Sequence, residues 1–237
     1  MLEYIPLQKI LFLDIETVPG CASFSELSET FNMLWEKKSV QLQGRGEEKT
    51  PEELYERAGI YAEFGKIVCI SVGYFARERE FRLKSFYDDD EKILLNDFSN
   101  LLNRYFNTRE HLLCAHNGKE FDFPYIARRM LVNGIEIPEI LNTAGKKPWE
   151  VNHLDTMELW KFGDYKSFAS LNLLAAVFGI PTPKDDIDGS QVGDVYWKTG
   201  DLERISTYCQ KDVLTVAQIF LKYRCETILK EHEYIFG

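Results

Sequence analysis

The stretch Lys9-Ile-Leu-Phe-Leu-Asp14-Ile-Glu16-Thr-Val18 decides how this chain folds and where its chemistry is expected. It predicts a β-strand, because alternate side chains of a strand point to opposite faces of a sheet. One face then carries Ile10, Phe12, Asp14 and Glu16, and the other carries Leu11, Leu13, Ile15 and Thr17. Two carboxylates on one face repel each other, and a divalent cation that prefers oxygen ligands relieves the conflict. The alternative is that the strand ends here and both acids are solvated.

A second carboxylate motif, Asn117-Gly-Lys-Glu-Phe121-Asp122, lies 108 residues after Asp14. It follows the apolar run 112–115, which predicts a strand, and precedes a segment with Pro124 in the first turn of a predicted helix. Carboxylates at such junctions commonly face a cleft. Asp122 is therefore a candidate ligand, with a helix N-cap as the alternative.

A third motif, Tyr208-Cys-Gln-Lys-Asp212, follows after a further 90 residues in a segment predicted as one long helix, 201–229. Tyr208 lies one turn before Asp212 on the same face, and Asp212 falls at the edge of an apolar stripe. A carboxylate in that position needs a partner or an ion. The alternatives are a Tyr208–Asp212 hydrogen bond or a salt bridge to Lys211 or Arg204. The stripe is formed by Leu202, Ile205, Cys209, Val213, Val216, Phe220 and Tyr223.

The order of these three motifs resembles that of the DEDDy 3′–5′ exonucleases, which have a ribonuclease H-like fold. More narrowly, the chain is similar to stand-alone predicted exonucleases related to the proofreading domain of family-B DNA polymerases. Two further stretches, 155–163 and 179–191, strengthen the narrower match, and the resemblance runs over nearly the whole chain. Tyrosine rather than histidine four residues before Asp212 indicates the DEDDy subgroup.

The resemblance implies a role for each residue of the three motifs. Asp14 would bridge two metal ions, Glu16 would help hold the ion that carries the attacking water, and Asp212 would ligate that ion. Asp122 would support the second ion, largely through water, and Tyr208 would orient the nucleophilic water. Carboxylates suit hard ions such as Mg²⁺ or Mn²⁺.

The predicted function is a metal-dependent 3′–5′ exonuclease that releases nucleoside monophosphates from the 3′ end of single-stranded nucleic acid, with DNA favoured over RNA. We further predict substrate contacts from Thr17, Asn117 and Phe121. Two alternatives remain open: a catalytically idle nucleic-acid-binding relative and a metal-dependent nucleotide phosphohydrolase. No polymerase region follows in this sequence, so a polymerase or repair partner is expected to act in trans.

Composition limits the other classes of function. The 237 residues carry a net charge of −10 with a pI near 5.0, which argues against a broad electrostatic hold on duplex nucleic acid. No apolar run approaches the roughly 20 residues of a membrane span. Five scattered cysteines without Cys-x-x-Cys spacing predict buried thiols at Cys69, Cys114 and Cys209, with no disulfide or structural zinc. No signal peptide is expected, and the predicted location is cytoplasmic.

The element pattern predicts one α/β domain over residues 1–237. We expect a mixed five-stranded sheet with one antiparallel strand, helices on both faces and a helical insertion at 19–64. A hairpin of strands at 66–75 and 79–87 and a helix opened by Asp88–Glu91 follow the insertion. A strand near 111–116, a strand near 153–159 and a helix at 168–178 complete the predicted elements.

The insertion and several single residues have more than one interpretation. Thr50-Pro-Glu-Glu53 predicts a capping box that opens a short helix, and 43–49 is expected to be mobile. The insertion is either a flap beside the cleft or a peripheral helical cover. His116 and His153 are interpreted as structural histidines. Other candidate nucleic-acid contacts, each with a core or surface alternative, are Trp160, Lys146, Lys147, Lys161, Lys166 and Lys184.

Overall fold

The computed structural model describes residues 2–44, 49–77, 79–164, 166–181 and 187–237. Its strands are β1 (Ile10–Pro19), β2 (Gly65–Arg77), β3 (Glu80–Tyr87), β4 (Leu112–Ala115), β5 (Leu154–Asp155) and β6 (Tyr234–Ile235). Its α-helices are α1 (Glu29–Leu42), α2 (Glu91–Tyr105), α3 (Asp122–Val132), α4 (Thr156–Lys161), α5 (Leu171–Val177), α6 (Val192–Asp194) and α7 (Leu202–Tyr223). A π-helical turn, Val195–Thr199, follows α6 directly.

The strands form one mixed sheet in the order β5-β4-β1-β2-β3-β6. β2 runs antiparallel to both of its neighbours, whereas the pairs β1–β4, β4–β5 and β3–β6 are parallel. The predicted mixed sheet with one antiparallel strand is therefore confirmed, and the two-residue β6 adds a sixth strand. Because β1, β4 and β5 are parallel, their carboxyl ends meet at one edge of the sheet, where ligands bind in α/β proteins.

β1 lies at the centre of the sheet, and both of its faces are buried as the alternation predicts. Leu11, Leu13 and Ile15 belong to a core shared with residues of α2 and α3. Ile10 and Phe12 belong to the core on the opposite face, beneath α7. This packing on both faces holds the carboxyl end of β1 rigidly, and Asp14 and Glu16 lie there.

The insertion after β1 forms a small core of its own around Trp35, which is fully buried. The capping box is present: the Glu53 N–H donates to the Thr50 hydroxyl, and the Thr50 N–H donates to the Glu53 carboxylate. A Cβ at Gly59 would lie 3.0 Å from the Val18 carbonyl carbon, so this segment packs closely on β1. This packing places the segment next to the carboxyl end of β1 and is compatible with both interpretations of the insertion, a flap or a peripheral cover. Within the segment expected to be mobile, 45–48 lie outside the described residues.

Three predicted elements are shorter than expected. The strand predicted near 153–159 ends at Asp155, whose carboxylate accepts hydrogen bonds from the Met157 and Glu158 N–H groups and so caps α4. The helix predicted at 168–178 spans Leu171–Val177. The long helix predicted to reach 229 ends at Tyr223, because the chain reverses through Cys225 at φ 58° and packs Leu229 back onto the core.

Two residues of the acidic run at 88–91 have different roles. Asp90 caps α2 by accepting a hydrogen bond from the Lys92 N–H, as predicted. Glu91 instead is buried and pairs with Arg129 at 2.6 Å. The five cysteines are free thiols, and Cys69, Cys114 and Cys209 are buried as expected. Among the described residues, no helix is long and apolar enough to cross a membrane.

Candidate active site and metal centre

The first two carboxylates of the centre come from the carboxyl end of β1. Asp14 is half-buried, and Glu16 is only 7% exposed. The register with β2 shifts between Glu16 and Thr17, so the strand bulges directly after the two acids. Bulges of this kind redirect side chains and are common beside active sites.

Asp122 approaches the same place from the start of α3. It is the first residue of that helix, and Phe121 takes the N-cap position, so the N-cap alternative for Asp122 is wrong. Asp122 is 3% exposed, and the backbone N–H groups of Asp122 itself and of Ile15 on β1 favour its charged form and so lower its pKa. Burial still raises the pKa of the Asp122 carboxyl to about 7, and the Asp155 charge adds to the shift.

The remaining two residues of the predicted set come from α7. This helix packs closely on β2, where a Cβ at Gly73 would lie 2.9 Å from the Val213 side chain. Tyr208 interacts with Asp212, which is one of the alternatives that the sequence left open. The charges of Glu16 and Asp14 also act on the Tyr208 hydroxyl. Burial and these three charges raise the pKa of the Tyr208 hydroxyl far above its ordinary value, so the phenol stays protonated.

The carboxylates are close enough to perturb one another. Burial raises the pKa of Asp14 well above its usual range, and the Asp122 and Asp212 charges raise it further. Burial likewise raises the pKa of Glu16, and the charges of Asp14, Asp212 and Asp122 act in the same direction. No described residue donates a hydrogen bond to the Glu16 carboxylate. The structure therefore brings together the four acids and the tyrosine of the three motifs.

Cys209 is a member of this centre that the sequence reasoning missed. Its thiol donates to the Asp14 carboxylate at 3.4 Å and lies 3.4 Å from the Asp14 carbonyl oxygen. Ligand atoms of Asp14, Glu16 and Cys209 all lie within 4.8 Å of one another. The sequence placed Cys209 in the apolar stripe of α7, and its position between Tyr208 and Asp212 was the available signal.

The three predicted substrate contacts lie in two places. The Thr17 hydroxyl interacts with the Tyr125 hydroxyl, and the Phe121 ring lies 5.3 Å from the Tyr125 ring, so both belong to one side of the centre. Asn117 instead lies in the loop after β4 at φ 64°, and its N–H donates to the Asp155 carboxylate at 3.0 Å. Asn117 also lines a cavity of about 520 Å³ at the carboxyl ends of β4 and β5.

Neighbouring polar and aromatic residues have structural roles. His116 bonds to the Thr156 hydroxyl and the Ala169 carbonyl, and His153 bonds to the Leu113 N–H and the Ile140 carbonyl. Trp160 packs against Phe178 and Tyr223 in the core. Asp155 accepts N–H groups of Asn117, Lys119, Met157 and Glu158, so its carboxylate organises two chain segments beside the centre.

Comparison with known proteins gives the family and the fold. Residues 60–235 match the model of a family described as predicted 3′–5′ exonucleases related to the exonuclease domain of PolB. The structure is similar to the family B DNA polymerase from the hyperthermophilic archaeon Pyrobaculum calidifontis, with a TM-score of 0.51 and 15% identity over 92% of this chain. At this identity the likeness concerns the fold alone.

The match covers most of this chain, but this chain spans only 25% of the polymerase chain. No curated protein matches the sequence. The fold and family expected from the three motifs are both confirmed. The chain belongs to the family of predicted 3′–5′ exonucleases related to the exonuclease domain of family-B DNA polymerases.

Proposed function

We propose that this protein hydrolyses single-stranded nucleic acid from its 3′ end, with DNA favoured over RNA, and releases nucleoside monophosphates. The reaction depends on two divalent ions, Mg²⁺ or Mn²⁺. The observation that carries this proposal is the convergence of Asp14, Glu16, Asp122 and Asp212 with Tyr208 from β1, α3 and α7.

The donor set fits hard divalent cations. Glu16 is a buried carboxylate without a hydrogen-bond donor among the described residues, and a buried charge of that kind is costly unless it is paired or coordinates a metal. The raised pKa values of Asp14, Glu16 and Asp122 express the same uncompensated charge. An ion resolves this cost, and oxygen ligands are the kind that Mg²⁺ and Mn²⁺ prefer.

In this proposal Asp14, Glu16, Asp122 and Asp212 hold the ions. Bound divalent ions stabilise the negative charge that develops on the attacking and leaving oxygens of an in-line displacement at phosphorus. Asp14 would contribute to holding both ions, since the charges of both Asp122 and Asp212 act on it. The Ile15 N–H acts on the Asp122 carboxylate in the direction that favours its charged form, which is the form that binds an ion.

Tyr208 positions the water and does not remove its proton. A phenol whose pKa is raised above its ordinary value of about 10 stays neutral near pH 7 and can donate a hydrogen bond. The water oxygen forms a bond to phosphorus, and the bond from phosphorus to the 3′ oxygen of the preceding nucleotide breaks. The products are a nucleoside 5′-monophosphate and a strand one nucleotide shorter that ends in a 3′-hydroxyl.

The substrate contacts follow from the arrangement around Tyr125. Thr17 and Phe121 meet there on one side of the acidic centre, and Asn117 lies in the loop that leads to Asp122. We propose that these three residues contact the terminal nucleotides. Residues 1–237 act as one exonuclease domain in this proposal.

One experiment tests the proposal directly. The protein is incubated with 5′-labelled single-stranded DNA or RNA and with Mg²⁺, Mn²⁺ or EDTA. A ladder that shortens from the 3′ end, requires the metal and yields monophosphates is the expected result. Cleavage in EDTA or internal cuts in a circular strand would contradict it. Binding without cleavage would indicate an idle relative, and attack on free nucleotides alone would indicate a phosphohydrolase.

A further inference from the structure

A group of lysines and exposed aromatic rings surrounds two lysines, Lys146 and Lys161, that line the cavity at the carboxyl ends of β4 and β5. It consists of Lys146, Lys147, Trp149, Lys161, Phe162 and Phe168, and we call it the lysine–aromatic surface. We propose that it binds the single strand upstream of the terminal nucleotide, with bases stacked on the rings and phosphates beside the lysines. This inference rests on the proposed function only for the polarity of the strand.

The aromatic rings of this surface are exposed without packing against the core. Trp149 is 75% exposed, Phe162 is 91% exposed and Phe168 is 66% exposed. Large apolar side chains that cluster at the surface mark sites of interaction. Every base offers a flat face to such rings, so aromatic platforms bind single strands with little dependence on sequence.

The backbone at Phe162 adds a second observation. Phe162 ends α4 in the left-handed conformation, with φ 44° and ψ 36°. A bulky residue rarely adopts this conformation, and backbone strain of this kind concentrates at ligand-binding and active sites. The almost fully exposed Phe162 lies in the chain between Lys161 and Gly163, and both of these residues line the cavity.

The lysines are paired with rings in a way that suits a stacked, charged strand. The Lys147 ammonium lies 5.2 Å from the centroid of the Trp149 ring, and the Lys161 ammonium lies 4.3 Å from that of Phe168. Among the described residues, neither Lys146 nor Lys161 forms an ion pair. In a chain of net charge −10, such a group of cations beside exposed rings complements the phosphates of a single strand.

The acidic side chains around the cavity do not cancel these cations. Glu158 is paired with Lys119 at 2.7 Å, and Asp155 is satisfied by four backbone N–H groups. Glu120 is the remaining acid among the residues that line it. The volume of about 520 Å³ lies within the range of pockets that enclose small ligands, so the cavity has room for part of one nucleotide.

The position of the cavity connects it to the acidic centre. Phe123 and Pro124, which follow Asp122 in α3, line the cavity, while the Asp122 carboxylate faces β1. Asp155 lines it too, and its charge reaches Asp122. The cavity and the acids therefore lie at the same edge of the sheet, on two sides of the first turn of α3. A strand whose 3′ end is at the acids can continue across the lysine–aromatic surface.

Binding is measured with 5′-fluorescein-labelled dT10 by anisotropy in EDTA, so the result does not depend on cleavage. We expect Trp149→Ala and Phe168→Ala each to weaken binding by about 5-fold to 100-fold, the scale of one lost base–aromatic stack. The double variant Lys146→Glu with Lys161→Glu should weaken binding and flatten its salt dependence by about 0.7 in log–log slope for each lost phosphate contact.

Two variants on other surfaces serve as matched controls. Tyr4→Ala removes a ring that is 82% exposed at the start of the chain. Lys84→Glu reverses a lysine that lies 4.7 Å from the Phe86 ring centroid, on β3 at the opposite side of the sheet. Both should bind dT10 as the wild type does. Melting temperatures of all variants should agree within a few degrees, because the replaced side chains are exposed or, for Lys161, only half-buried.

Strand length locates the contact. The ring variants should bind dT10 more weakly but bind the dinucleotide dT2 as the wild type does, since a dinucleotide does not reach beyond the terminal positions. The proposal is wrong if the ring variants bind dT10 normally, if Tyr4→Ala weakens binding equally, or if the wild type does not bind dT10. If the wild-type protein binds dT10 through these rings but does not cleave it when metal is present, the proposed function is refuted and this inference stands.

Discussion

Two glutamates of this protein are equally buried and have opposite environments. Glu16 in the acidic centre and Glu91 at the start of α2 are each 7% exposed. Glu91 accepts hydrogen bonds from the Arg129 guanidinium, the Ile67 N–H and the Asn133 amide. No described residue donates to Glu16, and the charges of Asp14, Asp212 and Asp122 all raise its pKa. Burial alone therefore does not separate a structural carboxylate from a functional one, whereas the set of partners does.

The same contrast holds for two aspartates that are each 3% exposed. The Asp155 carboxylate accepts hydrogen bonds from four backbone N–H groups and so fixes two chain segments. Burial and the charge of Asp155 instead raise the pKa of Asp122 to about 7. A carboxylate whose oxygens all accept hydrogen bonds stabilises the native state. A carboxylate with fewer hydrogen-bond donors still has oxygens that can bind an ion. Mutations should therefore separate activity from stability.

The largest effect is expected on turnover from Asp14→Ala. This change removes the acid that interacts with both Asp122 and Asp212, and we expect a loss on the order of 10³-fold or more, at least that of one preorganised stabilising group. Single-turnover release of the 3′ nucleotide measures it. The melting temperature in EDTA should not fall, because the change relieves repulsion. An Asp14→Ala protein that retains turnover would remove Asp14 from the active site.

Glu91→Gln should instead reduce stability. It leaves the Arg129 charge buried without its counter-ion, and breaking such a pair costs about 3–5 kcal/mol. For a chain of this size the melting temperature falls by roughly 6–20 °C. Turnover per folded molecule at low temperature should stay within about two-fold of wild type, since Glu91 lies outside the acidic centre. If Glu91→Gln and Glu16→Gln lost equal amounts of stability, the distinction between a structural Glu91 and a functional Glu16 would be wrong.

Tyr208→Phe should reduce turnover by about 10-fold to 10³-fold, the scale of one lost preorganised hydrogen bond. The phenylalanine retains the shape of the ring and leaves all four carboxylates in place. The thermal response to Mg²⁺ should therefore match that of wild type, which distinguishes this variant from Asp14→Ala. Turnover equal to that of wild type would show that the hydroxyl does not orient the water.

Metal should stabilise the fold through the acidic centre by a smaller amount. With 10 mM Mg²⁺ and a Kd of about 1 mM, one ion contributes roughly 1.4 kcal/mol, which raises the melting temperature by roughly 3–5 °C. Asp14→Asn should melt no lower than wild type in EDTA and should respond less to Mg²⁺ at constant ionic strength. Identical shifts in the two proteins would place the ions elsewhere.

The smallest expected effect is the pH dependence of that metal response. The folded-state pKa of Asp122 is about 7, above its ordinary value of 3.8, so the metal-free native state holds a proton that the unfolded chain releases. Metal-free stability should therefore fall as pH rises from about 4 to 7. Because ligation requires the carboxylate, the shift caused by Mg²⁺ should be larger at pH 8 than at pH 6. Asp122→Asn should reduce both trends.

Local sequence patterns predicted most of the architecture. Alternation in residues 9–18, the hairpin signal at 66–87 and the apolar stripe of α7 each correspond to an observed element. The errors occurred where long-range packing overrides local periodicity. The helix was predicted to run to residue 229, but the chain turns back after Tyr223 and buries Leu229 against the core by tertiary contacts. A two-residue β5 is likewise set by the Asp155 cap.

The sequence by itself determined the three acidic motifs, their order and the strand or helix that carries each one. It could do so because the periodicity of a strand or a helix is a local property of the chain. Only the tertiary structure decided which acids lack donors, because hydrogen-bond partners such as Arg129 for Glu91 come from distant parts of the chain. It also decided that the Cys209 thiol meets Asp14 and that Lys146 and Lys161 line a cavity together with Asp155. Charge compensation depends on which groups come together in space, and a linear pattern does not contain that information.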